Sequence, residues 1–245
     1  MQGPLPLSAL PVVIVLGLIF GSFITALSYR LPRGISIAKG RSACPSCGTA
    51  LTPKDLVPVL SWVMHGGKCA HCGARVSWRY PAIEVLMALL FTAAALAIED
   101  PARLLLTLAA TPVMMALAII DVEHRRLPNS LLAVLAALFI ALRAAGDGDY
   151  ITAAVACILV FVSALALDAA GRRLIRQGLS MGDAKLMAAA ALALPPVPLL
   201  TALGLAGAMG AGAALLPWMQ NDRRGSHFAF GPVLLLAFWC ALITL

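Results

Sequence analysis

The chain has 245 residues, of which 61% are hydrophobic and only 12% are charged, and its mean hydropathy is +0.94. A soluble globular domain does not have this composition, so the sequence indicates an all-α polytopic membrane protein whose surroundings are membrane lipid. The net charge of +7 invites a nucleic-acid partner, but no soluble fold or recognition motif accompanies it. We therefore expect no nucleic-acid binding.

Apolar runs of about 17 to 25 residues, bounded by charged or turn-forming clusters, predict the membrane helices. Eight runs are expected, near residues 8–28, 82–98, 104–120, 130–145, 151–168, 184–200, 201–218 and 230–245. Pro195, Pro196 and Pro198 mark the turn between the sixth and seventh runs, because proline ends helices and has no backbone donor. The expected division is a first helix (1–28), a polar insert (29–80) and a transmembrane domain (81–245).

The basic residues predict the orientation, because lysine and arginine stay preferentially on the cytoplasmic side. With eight spans, 16 of the 18 basic residues fall on one face. The opposite face has only Arg103 and Arg143, beside the acidic Glu99, Asp100, Asp147 and Asp149. The insert is therefore expected in the cytoplasm and both termini outside.

The insert carries two CxxC knuckles, Cys44 to Cys47 and Cys69 to Cys72. Each knuckle can aim two thiolates at one point, and the spacer suits a tetrahedral zinc ion. Gly48 and Gly73 follow the knuckles and allow the backbone conformations that such turns require. Four thiolates leave no open position, so the zinc is expected to be structural. Two disulfides are the alternative, but they seldom persist in a reducing cytoplasm.

Two aspartates lie at the predicted cytoplasmic boundary: Asp121 ends the third span and Asp183 opens the sixth. A carboxylate beside a bilayer is costly, and two that meet across a helix bundle can share a proton. One could take a proton from an attacking water while the other protonates a leaving amine. We therefore predict an aspartyl protease, and because the titration belongs to the pair, neither residue is assigned as acid or base.

The alternative is that each aspartate caps a helix or neutralises a loop arginine. This is realistic for Asp183 at a helix N-terminus, but not for Asp121, because a helix C-terminus repels a carboxylate. Glu123 is a weaker candidate for the functional acid, and His124 is expected to be solvated. Gly182 would let backbone approach a substrate closely.

The residues resemble the type IV prepilin peptidases, which are membrane aspartyl proteases of the GxGD type. The resemblance covers nearly the whole chain, although Ser180 stands where the family has the first glycine of GxGD. Its motifs are Phe20-Gly21-Ser22-Phe23, Arg30-Leu31-Pro32, the two knuckles with Gly67-Lys68-Cys69, Arg79-Tyr80-Pro81 with Glu84, Asp121 with Leu127-Pro128-Asn129, Met181-Gly182-Asp183-Ala184-Lys185-Leu186, and Phe230-Gly231-Pro232.

The resemblance implies that Asp121 and Asp183 are the catalytic pair in a bacterial inner-membrane enzyme. Its substrates would be prepilins or pseudopilins, whose short basic leader precedes an apolar helix. The same enzyme would methylate the new N-terminus from S-adenosylmethionine, and Glu84 is a candidate to contact this cofactor or the substrate amine. Glu84 could instead pair with Arg79 or cap its own helix.

Two other classes compete with the protease. Transporters also place carboxylates in apolar helices, and the glycines of the seventh span could allow helix movement, but transporter acids usually lie near the bilayer midplane. A zinc-stapled membrane assembly factor would explain the insert but leaves Asp121 without a role. The sequence leaves open which pilus or secretion system is served, the oligomeric state and the route of substrate entry.

Overall fold

The structure is a computed structural model that describes residues 5–37, 39–146, 148–174, 179–214 and 230–245. Within these ranges the regular structure is helical, with two isolated β-bridges and no strand. The α-helices are α1 (Leu10–Arg30), α2 (Leu60–Met64), α3 (Arg79–Ala97), α4 (Pro101–His124), α5 (Asn129–Ala145), α6 (Tyr150–Leu174), α7 (Met181–Ala193), α8 (Pro196–Ala214) and α9 (Gly231–Ile243). The all-α prediction is confirmed.

Each of the eight predicted spans overlaps an α-helix of 13 residues or more, and the short α2 lies in the insert. Four helices are long and apolar enough to cross a bilayer by length and composition, namely Leu7–Arg33, Arg79–Ala97, Pro101–His124 and Tyr150–Arg173. Shorter apolar helices cover Asn129–Ala145, Pro196–Met209 and Gly231–Ile243. At 1.5 Å per residue, a helix of 13 residues such as α7 is only about 20 Å long, shorter than a typical hydrocarbon core.

Several helix boundaries differ from the prediction. The sixth predicted span, 184–200, is α7, which begins at Met181 and ends at Ala193. It ends early because Leu194 is extended (φ −88°, ψ 131°), as expected for a residue before a proline. The third span runs on past residue 120 to His124, so Asp121 lies inside α4. Residues 215–218 of the seventh span, together with Asp147, Arg176, Arg223 and Arg224, lie outside the described residues.

The helices form two compact units, Met1–Asp100 and Pro101–Leu245. In the first, α1 packs closely along α3 because two glycines bring the backbones together. A Cβ at Gly17 would lie 2.6 Å from the Ala88 Cα, and one at Gly21 would lie 2.5 Å from the Glu84 Cα. Small residues spaced four apart are typical of tight helix contacts in membranes. The division into 1–28, 29–80 and 81–245 stays a prediction.

The second unit is built around α7 and α9. Helix α7 packs against α5 and α6, and α9 packs against α4 and α8. A buried hydrogen bond of 3.0 Å from Trp239 Nε1 to Thr111 Oγ1 ties α9 to α4. In contrast, α6 exposes a run of large apolar side chains that includes Ile151, Ile158 and Val162. Such a surface is suited to lipid rather than to water.

Candidate active site and metal centre

Asp121 lies in the last turn of α4 and is only 6% exposed. The helix ends just beyond it, where Arg125 adopts a left-handed conformation (φ 52°) and donates its N–H to the Asp121 carbonyl at 2.8 Å. The carboxylate Oδ2 accepts a hydrogen bond of 3.1 Å from the backbone N–H of Gly231, the first residue of α9. The unfavourable end of α4 is thus offset by the N-terminus of another helix, where unpaired N–H groups favour an anion.

This contact requires glycine at position 231. A Cβ placed there would lie 2.6 Å from Asp121 Oδ2 and 3.1 Å from its Cγ, which is closer than real Cβ atoms approach an oxygen. Glycine therefore lets the start of α9 reach the carboxylate directly. The Trp239–Thr111 hydrogen bond joins the same two helices at a second point, which holds α9 in position against α4.

Asp183 occupies the first turn of α7 and is also 6% exposed. It forms a capping box with Ser180: the Asp183 N–H donates to Ser180 Oγ at 3.1 Å, and the Ser180 N–H donates to Asp183 Oδ2 at 3.3 Å. The expected capping role is therefore present. Within the described part of the chain, Asp183 Oδ1 is buried and has no hydrogen-bond partner. The two carboxylate oxygens thus differ: Oδ2 holds the helix end, and Oδ1 is unpaired in the described structure.

The structure brings Asp121 and Asp183 together, although they come from α4 and α7. The two carboxylates are close enough for a direct electrostatic interaction. Both are shielded from solvent, and each is held by a backbone N–H donor through Oδ2. Binding one proton to the pair would relieve the repulsion between these two buried carboxylates.

The neighbours of Asp121 in the sequence have other environments. Glu123 is exposed, as expected for the weaker candidate. His124 was expected to be solvated, but this is wrong for part of its ring: Nε2 is buried, with no hydrogen-bond partner among the described residues. The reason is that α4 extends to His124, so its side chain projects from a packed helix rather than from a loop.

Gly231 is the site residue whose role the sequence did not reveal. It lies 110 positions from Asp121 along the chain. In the sequence, Phe230-Gly231-Pro232 marks the start of a predicted helix. This pattern predicts where the helix begins, but not which side chain Gly231 contacts.

In the insert, the four cysteines Cys44, Cys47, Cys69 and Cys72 converge. Their sulfur atoms all lie within 4.8 Å of one another, and each cysteine is a free thiol rather than half of a disulfide. Four sulfurs about 2.3 Å from one zinc ion would be separated by roughly 3.8 Å in a tetrahedron. The cluster therefore fits a tetrahedral metal ion.

The two knuckles have the same local structure. In each, the first cysteine donates its N–H five residues ahead, to the carbonyl of Thr49 or Ala74, at 3.0 and 2.8 Å. The glycines Gly48 and Gly73 both have a φ of 70°, as the sequence predicted. Amide N–H groups two and three residues further along each knuckle lower the pKa of the first thiol. The thiolate form of Cys44 and Cys69, which a metal ion requires, is thereby favoured.

Asp55 lies between the knuckles in sequence, and its carboxylate faces His65 and His71. Hydrogen bonds from the Thr52 hydroxyl (2.7 Å) and the Thr52 N–H (2.8 Å) lower the pKa of its carboxyl. Its oxygens lie 3.7 Å from His65 Nε2 and 3.9 Å from His71 Nε2. The histidines thus face Asp55, and the compact metal-ligand cluster in the described residues consists of the four cysteines alone.

Glu84 is buried in the first unit, 6% exposed, on α3. Its Oε2 accepts a 2.7 Å hydrogen bond from the N–H of Val59, which precedes α2 in the insert, and it is also hydrogen-bonded to the Ser22 side chain. Val59 has a φ of 60°, a strained value for a β-branched residue. Glu84 therefore caps α2 rather than its own helix, which the sequence did not predict.

Ser22 also lines a cavity of about 220 Å³ in the same unit. Its other lining residues include Phe23, Arg30, Ser42 and Leu56. The Arg30 guanidinium donates to the carbonyls of Ser36 and Gly40 at 3.4 Å. A positively charged group therefore lines the cavity. The cavity combines apolar surface with two serine hydroxyls and a guanidinium.

Comparison with known proteins supports the resemblance. The profile of the Bacterial Peptidase A24 N-terminal domain matches residues 15–98, and that of the Type IV leader peptidase family matches residues 108–215. The second match contains both Asp121 and Asp183. No solved structure matches the chain.

Two similar proteins align over most of the chain, and a third aligns over half of it. The prepilin leader peptidase/N-methyltransferase of Aeromonas hydrophila is 32% identical over 98% of this chain and 92% of its own length. The protein of the same name from Neisseria gonorrhoeae is 30% identical over 94% of this chain and 89% of its own. That of Bacillus subtilis is 37% identical over half of each chain. These alignments show that the chain belongs to the type IV leader peptidase family.

Proposed function

We propose that the chain is a prepilin leader peptidase that uses Asp121 and Asp183 as its catalytic pair. The observation that carries this proposal is the meeting of two buried carboxylates, from the ends of α4 and α7, inside the region that matches the peptidase family. Its substrates are prepilins or pseudopilins, whose leader is removed at the cytoplasmic face of the membrane.

The proposed chemistry needs one proton shared by the pair. One carboxylate accepts a proton from a water molecule as this water attacks the scissile carbonyl, and the other protonates the leaving amine. The N–H donors of Gly231 and Ser180 keep the two acids oriented through the cycle. Asp183 Oδ1, buried without a partner among the described residues, would take part in this proton transfer once water or substrate reaches it.

The position of the pair argues against a transporter. Both aspartates lie within one turn of a helix end, whereas transport sites usually lie near the bilayer midplane. The proposed topology follows from the charge distribution: an inner-membrane protein with the insert and the aspartates on the cytoplasmic side and both termini outside.

Replacing either catalytic aspartate is the direct test. We expect Asp121→Asn and Asp183→Asn each to abolish leader removal, because the amide is isosteric but cannot take up the proton. Leader loss from a prepilin is followed by gel mobility or mass spectrometry with purified enzyme. Glu123→Gln is the matched control and should retain activity. Substantial cleavage by either aspartate variant would remove that residue from the pair.

Position 231 provides a second test, which does not alter a carboxylate. The methyl group of Gly231→Ala would overlap Asp121 Oδ2, so the carboxylate must move and cleavage should fall roughly a hundredfold. Gly204→Ala is the control, because a Cβ at Gly204 meets no atom within 4 Å. The measurement is kcat for prepilin cleavage. Equal rates for both variants would show that the Gly231 contact has no part in catalysis.

We also propose that the four cysteines hold a structural zinc ion. The set is closed to substrate, so the metal would hold the insert together and take no part in hydrolysis. The insert is too short to bury a large core, and a metal site compensates for this.

The zinc proposal predicts that Cys44→Ser with Cys47→Ser releases the metal and loosens residues 29–80, because half of the ligand set is lost. Elemental analysis and limited proteolysis measure the two effects. Peptidase activity should fall less than in either aspartate variant. The double variant Cys157→Ser with Cys240→Ser, outside the cluster, should keep its metal. Intact protein without zinc would refute the assignment.

For the second activity, we propose that S-adenosylmethionine binds at the cytoplasmic side of the first unit and supplies the methyl group for the new N-terminus. The cavity beside Ser22 offers suitable groups. Arg30 would hold the cofactor carboxylate, Phe23 and Leu56 would contact apolar parts, and the Glu84 carboxylate would attract a positively charged amine or sulfonium.

Glu84→Gln tests this role. Glutamine keeps a side-chain oxygen that can accept the Val59 N–H, so the insert should remain folded, while the negative charge is lost. We expect normal leader removal and an unmethylated mature N-terminus, measured by mass spectrometry. Glu99→Gln, an exposed acid just beyond α3, is the control. Full methylation by Glu84→Gln would assign Glu84 to capping alone.

A further inference from the structure

Helix α7 carries Asp183 on one face and Lys185 on the other. Successive residues in an α-helix are about 100° apart, so two steps place Lys185 about 200° around the axis from Asp183. The lysine therefore points away from the carboxylate pair. Its side chain lines a cavity of about 340 Å³ whose other walls are apolar residues of α5, α6 and α7.

Lys185 is exposed, and its ammonium group forms an exposed hydrogen bond with a side chain of α5. Lys185 Nζ donates to Asn129 Oδ1 at 2.9 Å, across 56 positions of sequence. Asn129 is the first residue of α5 and follows α4 after a short connection. The hydrogen bond thus ties the catalytic helix α7 to the segment that leaves the other catalytic helix.

The same segment also contacts α7 at Gly182, the residue that precedes Asp183. A Cβ at Gly182 would lie 3.1 Å from the Leu127 Cβ and 3.3 Å from its Cδ1. Leu127 therefore contacts Gly182, one residue before Asp183, and Asn129 contacts Lys185, two residues after it. Two contacts on one flank of a helix limit both its rotation about its axis and its sliding along it.

We propose that Asn129 and Lys185 are positioning residues, which together set the rotation of α7 and so aim Asp183 at Asp121. This inference rests on the proposed peptidase function. A rotation of α7 by a few tens of degrees would move the Asp183 carboxylate by an ångström or more, which is enough to slow the reaction strongly. Neither residue touches the reacting atoms.

The test measures kcat and KM for cleavage of a prepilin peptide that spans the leader, the cleavage site and the start of the apolar helix. Full-length wild type is compared with Asn129→Ala, Lys185→Met and the double variant. We expect each single variant to lose roughly tenfold in kcat with KM within about twofold of wild type. Because both act through one contact, the double variant should lose no more than the worse single variant.

Asn129→Asp is the conservative variant, since its carboxylate has the same shape and still accepts from the ammonium. It should retain kcat within about threefold of wild type, because the contact to Lys185 is kept. If catalysis needed the amide group itself, Asn129→Asp would lose activity as Asn129→Ala does. Arg172→Met is the matched control: it removes a cation from the 2.7 Å ion pair with Asp168 on α6, and kcat should not change. Thermal unfolding in detergent should be similar for all of these variants.

Three results would overturn the proposal. Wild-type kcat in both single variants would show that the contact does not position Asp183. A rise in KM alone would assign Lys185 to substrate binding. A shifted pH profile in Lys185→Met, with Asn129→Ala unchanged, would mean that the lysine acts through its charge. Absence of cleavage by wild type would instead refute the proposed function itself, so the two failures are distinguishable.

Discussion

The second unit depends on how a buried carboxylate at the end of α4 is stabilised. A helix C-terminus presents unpaired carbonyl oxygens and repels an anion, so Asp121 would be costly there if α4 stood alone. The N-terminus of α9 supplies the opposite end of a dipole and a hydrogen bond of 3.1 Å. This pairing requires glycine at position 231, an antiparallel approach of α9 to α4, and the Trp239–Thr111 contact that holds this approach.

Helix α7 carries both Asp183 and the Lys185 contact to α5, although it has only 13 residues. Asp183 caps α7 through one oxygen and leaves the other without a partner in the described structure. The opposite flank of α7 carries the Lys185 contact to Asn129. One flank of α7 thus carries the buried acid, and another carries the contact to a neighbouring helix. Ser180 does not impair this arrangement, because its hydroxyl serves as the N-cap.

The first unit uses a different set of constraints. Close packing of α1 on α3 needs the glycines at 17 and 21, and it brings Glu84 next to Ser22. Glu84 then connects α3 to the insert by accepting the N–H of the strained Val59. Because the insert has little core of its own, this part-buried hydrogen bond and the four-cysteine cluster are the features that give it a defined shape.

The sequence by itself determined the class and the helices, and it singled out the candidate site residues. Composition and apolar run length indicate membrane helices, and CxxC spacing with following glycines specifies a knuckle, because each of these signals acts within a few residues. The structure confirms the convergence of the four cysteines and the left-handed Gly48 and Gly73. Asp121 and Asp183 could be singled out because carboxylates are costly beside a bilayer.

Only the tertiary structure decided which groups meet. The partners of Asp121, Glu84 and Lys185 are 110, 25 and 56 positions away. These helices are apolar nearly all round, so their periodicity does not say which face turns toward which neighbour. Rotation and axial position are set instead by close approach at glycines and by a few hydrogen bonds between distant segments. For the same reason the predicted helix ends near Asp121 and Asp183 were displaced by several residues, since capping by Ser180 and extension of α4 depend on local packing as well as on hydropathy.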